Sequence, residues 1–375
     1  MKVLGIYQVS IALTTFALFG LTVPQVANAA ILYSVNNLGT LGGNSSEATD
    51  INEIGQVVGT STTNRLNIYA FVWDSTNGMQ DLGTLGNDIT VAQAINNLGQ
   101  VVGSSKIGSA THAFLWDSPN GMEDIGTIGG SLSEATDIND FGQVVGYSTN
   151  RSGERHAFLW DTNNGMQDLG NFGGTNSYAW GINNVGQVVG NVNDGGFAFV
   201  WDSTNGMQDL GTLGGGRGAE AINNIGQVVG YSYTSGLNVH AFLWDSTNGM
   251  QDLGTISGYG SVASGINDFG QVVGSLTTSG EEPQHSFVWD STNGMRDLND
   301  LIDSNSGWTL NSAKAINNKG QIVGYGNLNG QQRAFLLTPI AETNPKSVPE
   351  PGSVLGLLAF GALGANSLRK CQKKQ

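Results

Sequence analysis

Four histidines, His112, His156, His240 and His285, and two recurring sets of aspartates are the residues of this chain best suited to chemistry. Imidazole and carboxylate together can bind a metal or move protons. Each His, however, occupies the same place in a repeated unit, and Tyr69, Phe197 and Arg333 fill that place in the other copies. Equivalent residues on successive units lie too far apart to share a metal ion, whose bonds to nitrogen are about 2.1 Å. Packing or hydrogen bonding at a strand start is the expected role. Asp74, Asp117, Asp161, Asp202, Asp245 and Asp290 follow Trp and precede a turn, where a carboxylate caps backbone N–H groups. Asp81, Asp124, Asp168, Asp209, Asp252 and Asp297 also recur unit by unit, whereas a catalytic pair needs to be placed only once. The stretch DINDFG, Asp137–Gly142, begins like a calcium loop, but Phe141 stands where a third oxygen ligand belongs and no Glu closes it. GTLGGG, Gly211–Gly216, leads into a strand and offers no helix N-terminus to a phosphate. The single Cys, Cys371, lies in the basic tail, and no Ser-His-Asp set can be proposed on spacing. No catalytic residue, metal site or cofactor is expected.

The elements that position these residues follow from the repeat. GQVVG begins at Gly55, Gly99, Gly142, Gly186, Gly226 and Gly270, and GQIVG at Gly320. From Ala135 one unit reads ATDINDFGQVVGYSTNRSGERHAFLWDTNNGMQDLGNFGG. Four segments of five to seven residues are separated by Asn-x-x-Gly, by a variable polar stretch and by Asn-Gly, the last a strong hairpin signal because both residues tolerate φ > 0. No segment carries a 3.6-residue period long enough for a helix. Four short antiparallel strands every ~44 residues match the blade of a β-propeller. Gly on either side of the Val-Val pair is expected to let neighbouring blades approach, with runs such as Ala113–Trp116 supplying the bulk between them.

The two ends of the array decide between a ring and an open stack. ILYSVNNLGTLGG, from Ile31, is a fourth segment without its first three, and the last unit stops at Pro339 after three segments. The offset implies an all-β, seven-bladed β-propeller over residues 31–340, closed by the N-terminal strand. Closure removes the sheet edges that invite aggregation, and an open β-solenoid would need polar caps that are not visible.

Outside that span the composition changes. Residues 1–29 read as a secretory signal peptide, with Lys2, an apolar stretch and small residues Ala27 and Ala29 at the cleavage site. Without the termini, residues 31–351 keep ten of the fifteen basic residues and all thirty acidic ones, a formal charge of −20. Nucleic acid is therefore not an expected partner. After a linker over 341–347, the segment 348–375 holds Pro349-Glu350-Pro351, an apolar run from Ser353 to about Leu368, and Arg369, Lys370, Lys373 and Lys374. The run is a short transmembrane helix by its length, some 24 Å against a ~30 Å hydrocarbon core. This segment resembles the PEP-CTERM sorting signal of bacterial surface proteins. The resemblance implies recognition by an exosortase, a transient inner-membrane intermediate, and delivery to the cell envelope or beyond, in cells that often make exopolysaccharide.

The repeated units, from about Tyr33 to Pro339, are similar to the HAF repeats of bacterial extracellular proteins, after His-Ala-Phe at His112, His156 and His240. The resemblance supports export and architecture and carries no activity. Comparison among the seven units shows where a ligand is expected. The second turns of the units differ in length and content, while the first and third are short and nearly alike. Within the first strand, one position carries Thr49, Gln93, Thr136, Trp180, Glu220, Ser264 and Lys314, and the Ile two residues on never changes. If that strand is innermost, Trp180, Glu220, Lys314 and Gln93 are candidate ligand-binding residues at the channel rim. An aromatic plane such as Trp180 suits a sugar ring; its other reading is packing between blades three and four. Trp308, in the longest link, is read as a plug at ring closure. The expectation is a non-catalytic binding or structural module, with polysaccharide as a possible partner. The alternative is an extracellular carbohydrate-active enzyme with its site at the channel mouth.

Overall fold

The structure, a computed structural model, describes residues 33–340 apart from 66, 87–88, 194–195, 257 and 278–284. The described residues form seven four-stranded antiparallel sheets and one short 3-10 helix, Leu298–Leu301. Blade 3 is representative: Ser133–Ile138, Val144–Thr149, Arg155–Asp161 and Gly165–Asp168 pair in that order. Blades 1 to 6 each use four consecutive strands. Blade 7 contains Trp308–Ile316, Ile322–Leu328 and Gln331–Pro339, and takes Tyr33–Asn37 as its fourth strand, with Tyr33 opposite Pro339 and Asn37 opposite Phe335. The fold is a seven-bladed β-propeller closed by the N-terminal strand, as the offset of the repeat implies.

Each turn has a local cause. In blade 3 the Gly142 N–H donates to the Asn139 carbonyl at 3.1 Å, closing the first turn, and Gly142 adopts φ 73. In the third turn Asp161 Oδ1 accepts from the N–H groups of Asn163 and Asn164 at 2.8 and 2.9 Å, the capping expected of the Trp-Asp pairs. The core lies between blades. Seven apolar clusters each join two neighbouring blades; Val58, Val72 and Leu82 of blade 1, for example, meet Val101 and Phe114 of blade 2. The Phe of every third strand, from Phe71 to Phe335, is fully buried. Trp308 opens the first strand of blade 7 and meets Phe335 edge-on at 6.1 Å, within the cluster that also holds Tyr33.

One expectation needs correction. The first Gly of GQVVG does face a neighbour: a Cβ on Gly142 would sit 3.6 Å from Gln100 Oε1 of blade 2. The second Gly acts inside its own blade. A Cβ on Gly146 would lie 2.0 Å from the Glu134 carbonyl oxygen of the first strand. That strand is displaced toward the second by a bulge, and only a residue without a side chain leaves room for it.

The signal-peptide residues Ala27 and Ala29, the sorting triplet and the expected helix over Ser353–Leu368 all lie outside the described residues. Among the described residues, no helix is long and apolar enough to cross a membrane.

Candidate functional site

The first strand of each blade is the edge of its sheet and lines the central channel. In all seven blades its pairing with the second strand is interrupted at the same place, between Ala48 and Asp50, Ala92 and Ala94, Ala135 and Asp137, Ala179 and Gly181, Ala219 and Ala221, Ala263 and Gly265, and Ala313 and Ala315. The residue skipped each time is the variable one. A bulge leaves its extra residue unpaired and re-aims the side chain. Here it turns Thr49, Gln93, Thr136, Trp180, Glu220, Ser264 and Lys314 into one cavity of about 230 Å³. The structure thus brings together all four residues singled out from sequence, Trp180, Glu220, Lys314 and Gln93. They precede the Ile-Asn pair in the strand, so they lie on the side of the channel toward the second turns, whose sequences vary.

Toward the first turns the channel is lined differently. The seven Asn after the invariant Ile are buried, and each donates through Nδ2 to the main-chain carbonyl of the next blade's Asn. The series starts with Asn52 to Asn96 and returns from Asn317 to Asn52, all at 3.0–3.1 Å. A second ring lies outside it. The N–H groups of Glu53, Asn97, Asp140, Asn184, Asn224, Asp268 and Asn318 each donate to a side-chain oxygen of the next member, ending with Asn318 to Glu53, at 2.8–2.9 Å. Burial works against the Asp140 carboxylate, but hydrogen bonds from Asn97 and Asn184 hold its pKa below the usual value. Next to these rings Ile54, Leu98, Phe141, Val185, Ile225 and Phe269 stand 66–75% exposed, and Lys319 takes the seventh position.

Between the two levels lies a second variable column: Asp50, Ala94, Asp137, Gly181, Ala221, Gly265 and Ala315. Asp50 bridges two blades, accepting from the Ile51 N–H at 2.8 Å and from the Ile95 N–H of blade 2 at 2.9 Å. Asp137 does the same for Ile138 and for Ile182 of blade 4, both at 2.8 Å. Burial raises Asp50 to about 7, against these two hydrogen bonds. Burial and then the Asp50 charge raise Asp137 to about 8. Glu220 is raised to about 7 by burial, partly offset by Lys314. The Lys314 ammonium also lies over the Tyr325 ring at 5.8 Å. The sequence drew attention to Asp137 only as the start of DINDFG and to Asp50 not at all, although their column varies beside the first and was legible there.

Trp180 packs between blades 3 and 4 and also faces the channel. It lines the cavity, and its ring stacks on Tyr178 at 6.0 Å and 6° while meeting Tyr147 of blade 3 edge-on at 6.0 Å. Its indole N–H donates to Asn191 Oδ1, so what it can present to a ligand is a ring surface, not a donor.

The histidines pair inside their own blades. His112 Nδ1 lies 2.8 Å from Asp124, His156 2.8 Å from Asp168 and His240 2.9 Å from Asp252, and His285 contacts Asp297. The same carboxylates cap the following link, as Asp168 does for the Gly170 N–H at 2.8 Å. Where Phe197 replaces His in blade 4, Arg217 of blade 5 reaches Asp209 at 2.5 Å and lies 5.2 Å over the Phe197 ring. The carboxylate keeps a nitrogen partner within its structural layer in either case, which marks this as a structural pair. Among the described residues no group of His, Cys, Asp and Glu is placed to hold a metal. The DINDFG residues have other duties: Asp137 binds two amides, and Asn139 binds Gln143 and Asn183.

With this geometry established, comparison with known proteins adds two matches at the sequence level. A model described as "Protein of unknown function (DUF3466)" matches residues 120–213 and 252–337. Residues 347–370 match the PEP-CTERM protein-sorting motif. The chain carries an exosortase-type sorting signal. That signal indicates export to the cell envelope or the extracellular space. No curated protein matches the sequence. Among solved structures, a streptogramin B lyase is similar at 11% identity and a TM-score of 0.54, over 82% of this chain and 98% of its own. The β-propeller domain of the Trilobed protease from Pyrococcus furiosus is similar at 10% identity and a TM-score of 0.50, over 80% and 99%. That domain is described as having an open velcro topology, whereas the ring here is completed by Tyr33–Asn37. Likenesses at these identities concern the fold alone.

Proposed function

We propose that this protein is a HAF-repeat propeller, exported through a transient inner-membrane stage, that binds a polysaccharide-derived ligand in the cell envelope or extracellular matrix without transforming it. The observation that carries the reading is the contrast between repeat and exception. Recurrent polar groups such as the Asn ring and the His-Asp pairs are spent inside the ring, while one variable column of seven residues converges on one cavity. Function resides where a rigid scaffold presents variable groups. A catalytic reading draws on the raised carboxyls Asp50, Asp137 and Glu220, since a carboxylic acid that keeps its proton near neutral pH can act as a general acid. Against it, both oxygens of Asp50 and of Asp137 are held by main-chain amides, which leaves Glu220 without a free carboxylate partner. Glycoside hydrolysis needs two.

Two experiments test the proposal. The full chain, purified in detergent, is screened against a polysaccharide panel for binding and for turnover. Binding weakened by Gln93→Ala and Trp180→Ala without turnover supports it, and turnover abolished by Glu220→Gln replaces it with the enzyme reading. Sorting is tested by fractionating cells that express Pro349, Glu350 and Pro351 changed to Ala. Retention of the unprocessed chain at the inner membrane is expected, and normal delivery to the surface ends the exosortase assignment.

A further inference from the structure

The innermost strands are sheet edges, and their main-chain donors have to be accounted for one by one. In every blade the N–H of the Asn pairs with the second strand, as Asn223 does with Gln227 at 3.0 Å and Asn317 with Gln321 at 3.1 Å. Alternate residues of an antiparallel pair point their N–H groups the other way. The N–H of the preceding Ile therefore faces the channel in all seven blades. Four of these seven amides are capped: Asp50 takes Ile51 and Ile95, and Asp137 takes Ile138 and Ile182.

The remaining three, on Ile222, Ile266 and Ile316, belong to consecutive blades, and no side chain among the described residues accepts from them. The residues beside them are Ala221, Gly265 and Ala315, too small to reach. On this side the cavity runs past those small residues down to the three isoleucines, whereas on the opposite side it stops at Asp50 and Asp137. Ile222 and Ile266 are half-buried, whereas Ile316 is buried like the four capped isoleucines. Lys314 lines the same cavity.

We propose that this side of the channel is a carboxylate seat, in which a ligand's carboxylate bridges two neighbouring Ile amides as Asp50 and Asp137 do elsewhere in the same ring, with Lys314 as its counter-charge. The protein displays its own template for the interaction, with both oxygens of one carboxylate 2.8–2.9 Å from amides on adjacent blades. A ligand carboxylate that enters ionised, with Lys314 beside it, would accept these bonds with charge assistance, which makes them stronger than bonds to a neutral acid. The cavity, at about 230 Å³, lies below the ~300–1,000 Å³ of sites for drug-sized ligands and suits one sugar-sized group. Trp180 offers it a ring surface and Gln93 an amide. The ligand class is an acidic sugar residue, free or at the end of a chain. This rests on the binding reading above and deepens it.

The test compares D-glucuronate with D-glucose, by calorimetry and ligand-observed NMR on the full chain in detergent, and short oligouronides with the monosaccharide to separate a chain end from a free sugar. Glucuronate is expected to bind at least about tenfold more tightly than glucose, the effect of roughly 1.4 kcal/mol. Ala221→Asp supplies the missing internal carboxylate to Ile222 and Ile266. It should abolish that preference while melting no lower than the parent, and Lys314→Met should reduce the preference with folding intact. Equal binding of the two sugars, or glucuronate binding undiminished in Ala221→Asp, overturns the seat but leaves the channel as a binding site. If neither sugar binds, the seat falls. If the polysaccharide panel is also negative, the binding reading falls with it.

Discussion

The two ends of the central channel are built from the same seven strands yet treat their polar groups in opposite ways. At the Asn end, each side chain meets the equivalent residue of the next blade, and two rings of seven hydrogen bonds close on themselves. At the bulge end, the seven blades present six different side chains, Thr occurring twice, and three main-chain donors stay open to the cavity. A group satisfied by its counterpart in the next unit must keep its chemistry: the first ring is Asn throughout, and the second admits only Asn, Asp or Glu. A group that faces the axis without a copy as partner is free to differ. Sevenfold repetition thus separates the part of the channel that holds the ring from the part left free to vary, where we place the proposed ligand.

The sharpest way to break the comparison is to open the ring. Deleting Tyr33–Asn37 removes the fourth strand of blade 7 and uncovers Gln331–Pro339. Aggregation, or a melting temperature lower by about 10 °C or more, is expected by scanning calorimetry and size-exclusion chromatography. A variant that melts like the parent would show that the two hydrogen-bonded rings alone keep the circle closed.

The bulge that aims the variable residues depends on the second Gly of each unit. Gly146→Ala forces a methyl group to within 2.0 Å of the Glu134 carbonyl oxygen. Overpacking at such a site costs about 3 kcal/mol, readable in urea unfolding. A loss under about 0.5 kcal/mol would mean the first strand moves aside easily and the bulge is soft.

Within the rings, Asn183→Ala removes donors to Gln187 and Asn223 and an acceptor from the Gln187 N–H, at a residue 2% exposed. The expected loss is about 2–4 kcal/mol, because buried partners are left unsatisfied. Ser264→Ala, at the other end of the same channel, should change stability by less than about 0.5 kcal/mol. Similar losses for the two would erase the distinction between a structural and a selective end.

The carboxyls give a subtler contrast. Turn residues Asp74, Asp161 and Asp245 are held below the usual value chiefly by the side chain of the following Asn. They add stability above about pH 4 and lose it as pH falls. Asp50 and Asp137, raised to about 7 and about 8, act with the opposite sign. Their contribution is complete below about pH 4 and is lost as pH rises through 7 to 8. Unfolding free energy should therefore decline from pH 5 to pH 9, and Asp137→Asn should flatten that decline. A parent profile level over this range would mean both carboxyls stay ionised in the folded protein.

Much of this molecule could be read from one dimension. Asn-x-x-Gly, GQVVG, the apolar-Trp-Asp run and Asn-Gly are local signals, each acting within a few residues, and they determined the strands, the turns and the number of blades. The segment missing at each end determined how the ring closes. Column comparison among the units picked out Trp180, Glu220, Lys314 and Gln93, because a residue released from repeat contacts is visible as a position that changes. The tertiary structure alone decided what meets across blades. Asn317 reaches Asn52 over 265 residues of sequence, Asp50 reaches Ile95 on the next blade, and Arg217 replaces a histidine of the preceding blade's pair. Those contacts depend on the angle and radius at which neighbouring blades meet, set by seven inter-blade cores together, and no single unit of the sequence contains that information.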